Sequence, residues 1–329
     1  MKSHSPIGLD LGAHTIKAVQ FDQSGELLAS ASIRRANPGT PICEDDVIRI
    51  AGALYRGGFA GRRVAISAPK AMVHRLTLDL PPLDSGAPID QIAQTELCRQ
   101  RLLEPGTFEY RWFESPQPPR HASGVRAIAL SCTHEDADSI LDLFETSGFL
   151  PVSLRSPDVV LAEAILNAES SAAAAILDLG WTDATFVVVR GGEIRYTRAI
   201  PGCGLGELAG QEEWFAATLG SALRRSLASE PSTREMPLEF SPVLKRYLGS
   251  LATELASSLD YLEGCGTDEA PRSLTLTGGG TGIPGLCDSL KSETGLAIHE
   301  LINNSNNLCA IAASLAKTPD KAPAQEAAA

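Results

Sequence analysis

Along the chain the apolar residues switch between a period of two and a period near 3.6, the signature of alternating strands and helices. One pattern occurs twice. Leu9-Asp10-Leu11-Gly12 and Leu177-Asp178-Leu179-Gly180 are identical tetrapeptides 168 positions apart, and Val19 falls on Val187 at the same offset. Each copy begins as an apolar strand interrupted by one aspartate and passes through a glycine-led turn. A second β-rich run follows (residues 16–21 and 185–189), then a polar turn (22–25 and 190–192) and a third strand. The shared context predicts two similar α/β halves facing each other.

Between the repeats, the spacing predicts a helix over 44–58 and strands over 64–67 and 73–80, the second ended by Pro81-Pro82. An amphipathic stretch over 89–103 precedes strands at 108–113 and 125–132, which flank a proline-rich loop at 115–124. A helix over 135–147 ends at Gly148, a residue suited to the left-handed position after a helix. This block reads as an inserted subdomain, and a helix at 157–166 then leads into the second half. There, helices are expected over 205–227 and 241–262, a loop at 229–237, a strand at 273–277 running into Gly278-Gly279-Gly280, and a helix from about Pro284. Residues 317–329 have almost nothing to bury and read as a disordered tail.

Composition narrows the field of functions. Hydrophobic residues make up 43 % and charged residues 21 % of 329 positions, as in a folded chain that exceeds one domain. The net charge of −12 gives nucleic acid or anionic lipid no long-range attraction. No run reaches the roughly 18 apolar residues of a membrane span. Cys43, Cys98, Cys132, Cys203, Cys265, Cys287 and Cys309 lack metal-site or disulfide-ladder spacing and read as reduced core residues.

Chemistry concentrates at the three glycine-containing turns. A carboxylate at the exit of a buried strand needs a partner or a metal. Asp10 and Asp178, contributed by facing halves, suit a hydrated Mg²⁺, which prefers one or two carboxylates plus phosphate oxygens. Gly12 and Gly180 allow close approach, so that backbone N–H groups can receive phosphate oxygens. Lys17 and Thr15 on the first hairpin, and Thr182 and Thr185 on the second, could add a cation and hydroxyl donors. Gly278 to Gly280 would set bare backbone against a flat ring such as adenine.

The order Asp-x-Gly hairpin, Asp-x-Gly hairpin, Gly-Gly-Gly turn resembles the actin-like ATPase superfamily. Within it the chain is similar to the PilM family of type IV pilus assembly proteins, itself related to FtsA and sometimes labelled competence proteins. Residues 7–12 with Lys17-Ala18-Val19, 75–83 with Glu96, 194–201, 257–261 and 276–286 carry the likeness over nearly the whole chain. The resemblance implies an α/β fold of two ribonuclease-H-like halves around a nucleotide cleft, with an inserted β-α-β-β-α subdomain. The first half would span 1–170 with the insertion at about 60–150, and the second 171–316. It implies ATP held by Asp10, Gly12, Ala13, His14, Thr15, Lys17, Asp178, Gly180, Thr182, Gly278, Gly279 and Gly280. Asp10 and Asp178 would be the catalytic pair and would hold Mg²⁺ largely through water. The implied partner is the cytoplasmic N-terminal segment of a PilN-like inner-membrane protein, and through it PilO and the pilus motor. The chain would then sit at the inner face of the cytoplasmic membrane without inserting into it, and self-association stays open.

Three features depart from the pattern. Ser156 stands before Pro157 where a glutamate is usual, leaving Asp158 as a shifted substitute for positioning a hydrolytic water. Trp181 replaces a small turn residue and would either crowd the phosphates or cover an edge. The stretch between Gly202 and Phe240 is short. ATP binding is therefore expected ahead of hydrolysis. A small-molecule kinase of the same superfamily and a nucleotide-free structural member are the alternatives.

Overall fold

A computed structural model describes residues 4–119, 124–166, 172–209, 242–283, 285–301 and 309–317. The internal repeat becomes a repeat of sheets. In the first half β1 (Ile7–Leu11), β2 (Thr15–Phe21), β3 (Leu27–Arg34), β4 (Arg63–Ser67) and β8 (Leu150–Arg155) form a sheet of order β3-β2-β1-β4-β8. In the second half β9 (Ala174–Leu179), β10 (Asp183–Arg190), β11 (Glu193–Pro201), β12 (Ser273–Gly278) and β13 (Ala297–Glu300) form β11-β10-β9-β12-β13. The registers match residue for residue: Asp10 pairs with Lys17 and Gly8 with Val19, while Asp178 pairs with Thr185 and Ile176 with Val187. In each sheet the strand after the first hairpin system returns parallel beside the central one.

A third, antiparallel sheet of order β5-β7-β6 is built from β5 (His74–Leu80), β6 (Phe108–Glu114) and β7 (Val125–Thr133). Helix α2 (Ile89–Arg101) covers it by burying Ala93 and Leu97 against Leu78, Phe108 and Ala129. The inserted body is narrower than about 60–150. Strands β4 and β8 pair with each other inside the first sheet, and α3 (His134–Thr146) buries Ile140 and Phe144 in the first half's core with α1 (Glu44–Arg56). Strand β8 was not expected, although Leu150, Val152 and Leu154 alternate; the run is short, holds Pro151, and leaves Leu150 and Val152 exposed.

Two helices lie between the large sheets. The helix α4 (Pro157–Ile165) buries Val160, Leu161 and Ala162 beside Ala65 of the first sheet and Ile176 and Val187 of the second. It is apolar apart from the buried Asp158 and the exposed Glu163, which pairs with Arg155. The other, α8 (Ala310–Lys317), comes late in the chain yet packs on β1 and β2, where Ala312, Ala313 and Ala316 meet Val19 and Phe21. It therefore belongs with the first sheet rather than with the second half, and its Lys317 Nζ lies 4.9 Å from the Phe21 ring centre. The second half also contains α5 (Leu205–Ala209), α6 (Pro242–Cys265) and α7 (Leu286–Thr294). The remainder of the helix expected over 205–227, the loop at 229–237 and the tail beyond Lys317 lie outside the described residues.

The α8 contact rests on Gly8. A Cβ at that position would fall on the Ala312 carbonyl oxygen and 2.8 Å from Ala316 N, both backbone atoms that cannot step aside. Overpacking of this kind costs roughly 1–3 kcal/mol or more. Gly8→Ala is expected to lower the unfolding free energy in urea denaturation by at least that amount, whereas Gly249→Ala, on α6 and next to open space, should not lower it; equal losses would contradict the packing.

Candidate functional site

Both aspartates stand at the carboxyl ends of central strands, where open α/β sheets build their ligand crevices. Asp10 is 7 % and Asp178 5 % exposed, and they line one cavity of about 400 Å³ between the two halves. The turns that follow them are closed alike. A Cβ on Gly12 would lie 2.5 Å from the Thr15 carbonyl oxygen, and one on Gly180 would lie 2.9 Å from that of Asp183. Behind the first turn, Arg35 is buried. It donates to Asp46 of α1 at 2.7 and 3.1 Å, to the Thr40 and Pro41 carbonyls, and to Ala13 O at 3.3 Å. Gly39 N–H also takes Ala13 O at 2.8 Å, so peptide planarity sends the His14 N–H away from this strap.

Charge compensation differs between the halves. Asp10 Oδ2 accepts from Lys17 Nζ at 3.1 Å within its own hairpin, and Ser67 Oγ lies 3.4 Å from Oδ1. At the matching position the second half has Thr185, which carries no charge. Its cation comes from the other half: Lys70 Nζ donates to Asp178 Oδ2 at 3.0 Å, Asp183 Oδ1 at 3.0 Å and Thr185 Oγ1 at 2.8 Å. Lys70 opens a short 3₁₀ turn (Lys70–Met72) just past β4, at the same sheet edge as Asp10. In this cluster three carboxylates face two ammonium groups.

Burial alone would lower the lysine pKa values and raise that of Asp178, but the ion pairs outweigh it. The Lys17 pKa is raised by Asp10 and Asp178, and the Lys70 pKa by Asp178 and Asp183. The two lysines together hold Asp178 below the usual carboxylate range. All three groups therefore stay charged at neutral pH.

In the wall of the cavity His14 stacks on Trp181, with ring centres 3.9 Å apart and planes 23° from parallel. Burial and the nearby Arg34 push the His14 pKa down, which favours a neutral ring for this stack. Trp181 therefore bridges the two turns, and its indole nitrogen sits where a Gly206 Cβ would come within 3.1 Å.

The expected site residues Asp10, Gly12, Ala13, His14, Thr15, Lys17, Asp178, Gly180, Thr182 and Gly279 all line the cavity. Gly278 and Gly280 do not. A Cβ on Gly278, at φ +89°, would lie 2.5 Å from Asp178 Oδ1, and one on Gly280 would lie 2.6 Å from Leu179 Cβ. Gly278, at the end of β12, and Gly280, in the 3₁₀ turn Gly279–Gly282, are buried while Gly279 is half-buried, so the three do not form one bare surface. Asp158 also departs from expectation. It is fully buried and takes Arg75 at 2.7 and 2.8 Å and Thr197 Oγ1 at 2.6 Å, outside the cavity. It braces the insertion, α4 and β11 rather than facing a water in the cleft. Among the described residues, no three His, Cys, Asp or Glu side chains gather as metal ligands.

No protein-family model matches the chain, and no curated protein matches its sequence. Solved structures do match. A chain of a PilM–PilN type IV pilus biogenesis complex is 18 % identical, with a TM-score of 0.66 over 95 % of this chain and 97 % of that one. The ethanolamine utilization protein EutJ from Carboxydothermus hydrogenoformans is 16 % identical, with a TM-score of 0.57 over 95 % and 89 %. The fold is actin-like, and PilM-like in its layout.

Within this PilM-like frame the sequence reading missed Lys70, Asp183 and Ser67. A signal existed for Lys70: Ser67-Ala68-Pro69-Lys70 sets a basic residue directly after a buried strand. It becomes informative only once β4 is known to lie beside β1.

The pairing predicts a pH dependence. Because the Asp178 pKa is lowered on folding, its contribution to stability is complete above about 3.9 and is lost as pH falls through the folded value. Asp178→Asn should be less stable than wild type at pH 7 in urea denaturation and should lose less between pH 7 and pH 3. Parallel acid limbs in the two proteins would contradict the assignment.

Proposed function

We propose that the chain is a nucleotide-binding scaffold for assembly of a type IV pilus or a related secretion or competence apparatus. The observation carrying this reading is the pair of aspartate strand tips on one cavity, each with an ammonium group beside it. Enclosed ligand sites span about 300–1,000 Å³, and this cavity falls inside that range. Asp10 Oδ1 and Asp178 Oδ1 carry no ammonium contact, so the donor set suits a hydrated Mg²⁺ held through water rather than one stripped of it. When bound, that ion would neutralise phosphate charge. Lys17 and Lys70 would share their ammonium protons between the carboxylates and phosphate oxygens. Thr15 and Thr182 would add hydroxyl donors, and Gly12 and Gly180 would let phosphate approach the backbone.

Binding is favoured over turnover because Asp158 is committed to Arg75 and Thr197. The likeness in layout to a chain of the PilM–PilN complex supports a PilN-like peptide as partner, and such a partner would hold the protein at the inner membrane face. No helix among the described residues is long and apolar enough to cross a membrane.

Calorimetric titration with ATP and Mg²⁺ tests the cleft. Saturable binding is expected, falling at least tenfold in Asp10→Ala and in Lys70→Ala while both variants keep the wild-type circular dichroism. Absence of saturable binding by the wild type would overturn the nucleotide reading. Fluorescence anisotropy with a labelled N-terminal peptide of a PilN-like protein tests the partner independently, and no binding there would leave only the fold in common.

A further inference from the structure

A second cavity, of about 270 Å³, lies where the inserted sheet meets β11 and α6, away from the two aspartate tips. Three guanidinium groups line it: Arg75 of β5, Arg126 of β7 and Arg198 of β11. Two of these are already matched. Arg75 forks onto Asp158, and Arg198 pairs with Glu254 at 2.6 Å while donating to Ser258 Oγ at 2.9 Å.

Arg126 is not matched. Among the described residues no carboxylate comes within ion-pair distance of it, including Asp79, which stands opposite in the β5–β7 ladder. Its side-chain contact is a 3.4 Å approach to the Tyr261 hydroxyl, whose own proton goes to Pro116 O at 2.8 Å. Glu114 and Glu269 are directed at Arg195, and Glu269 also at Arg190. Arg126 therefore brings guanidinium donors that no carboxylate among the described residues occupies to the wall of this cavity.

The rest of the lining defines what that charge would hold. The Tyr196 and Tyr261 rings, 5.9 Å apart between centres, make an aromatic wall, and Ile128 adds aliphatic surface. A guanidinium carries five N–H donors, of which Tyr261 engages one. The planar fork of one guanidinium fits a carboxylate.

We infer that this cavity is a binding site for a carboxylate attached to a flat or apolar group, with Arg126 as its anchor. The carboxylate can belong to a free small molecule or to an acidic residue of a peptide, and the two are separable by experiment. The inference is independent of nucleotide binding, since the cavities share no lining residue.

Equilibrium dialysis at fixed ionic strength against phenylacetate, and separately against acetyl-Glu-Phe-amide, tests it. Saturable one-to-one binding of either is expected, falling at least tenfold in Arg126→Gln with ATP affinity unchanged. Tighter binding of phenylacetate assigns a free small carboxylate, and tighter binding of the dipeptide assigns an acidic peptide segment. Should Arg126→Gln fold poorly, wild-type NMR decides, because the bound compound must shift the Tyr196 and Tyr261 ring resonances. No saturation by either compound below about 10 mM, full binding by Arg126→Gln, or unmoved tyrosine resonances would overturn the site.

Discussion

Carboxylates at the ends of buried strands need a counter-charge, and the way Asp178 obtains one ties the two halves together. In the first half Asp10 is served by Lys17 from its own hairpin. At the matching register position the second half has Thr185, so Asp178 depends on Lys70 from across the cleft. The repeated architecture is symmetric, but its electrostatics are not. The first half satisfies its buried charge alone, whereas the second does so by holding the first. Any ligand that draws Lys70 away must supply a replacement cation or leave Asp178 exposed to the desolvation penalty.

A second tie acts at a distance from the cleft. Asp158 gathers Arg75 of the insertion and Thr197 of β11 at the start of α4, the helix enclosed between both sheets. A movement that widens the cleft must therefore pivot near this cluster or break a buried, bidentate ion pair. Domain closures elsewhere turn on small numbers of such fixed points. The His14–Trp181 stack adds a contact between the turns of the two halves inside the cavity.

Much of this was legible in the sequence because it repeats. The Leu-Asp-Leu-Gly pair and its offset of 168 foretold twin sheets in matching register, and ten of the twelve proposed cofactor residues line one cavity. What escaped was non-local. Lys70 follows a proline and reads as a loop residue until β4 is placed beside β1. Gly278 and Gly280 look available to a ligand, but their missing side chains make room for Asp178 and Leu179. The four-residue β13 and the alanine-rich α8 offer too little apolar contrast to be picked out by period, and the short β8 alternates but is interrupted by Pro151.

The position of α8 bears on how the chain is made. Strand β1 is made some three hundred residues before the helix that covers it over Gly8. Long-range closure of this kind slows folding and leaves apolar surface uncovered in the meantime. The first half thus has to wait, partly assembled, for a helix made much later, while the insertion, whose sheet and helix are contiguous in sequence, can settle on its own during synthesis.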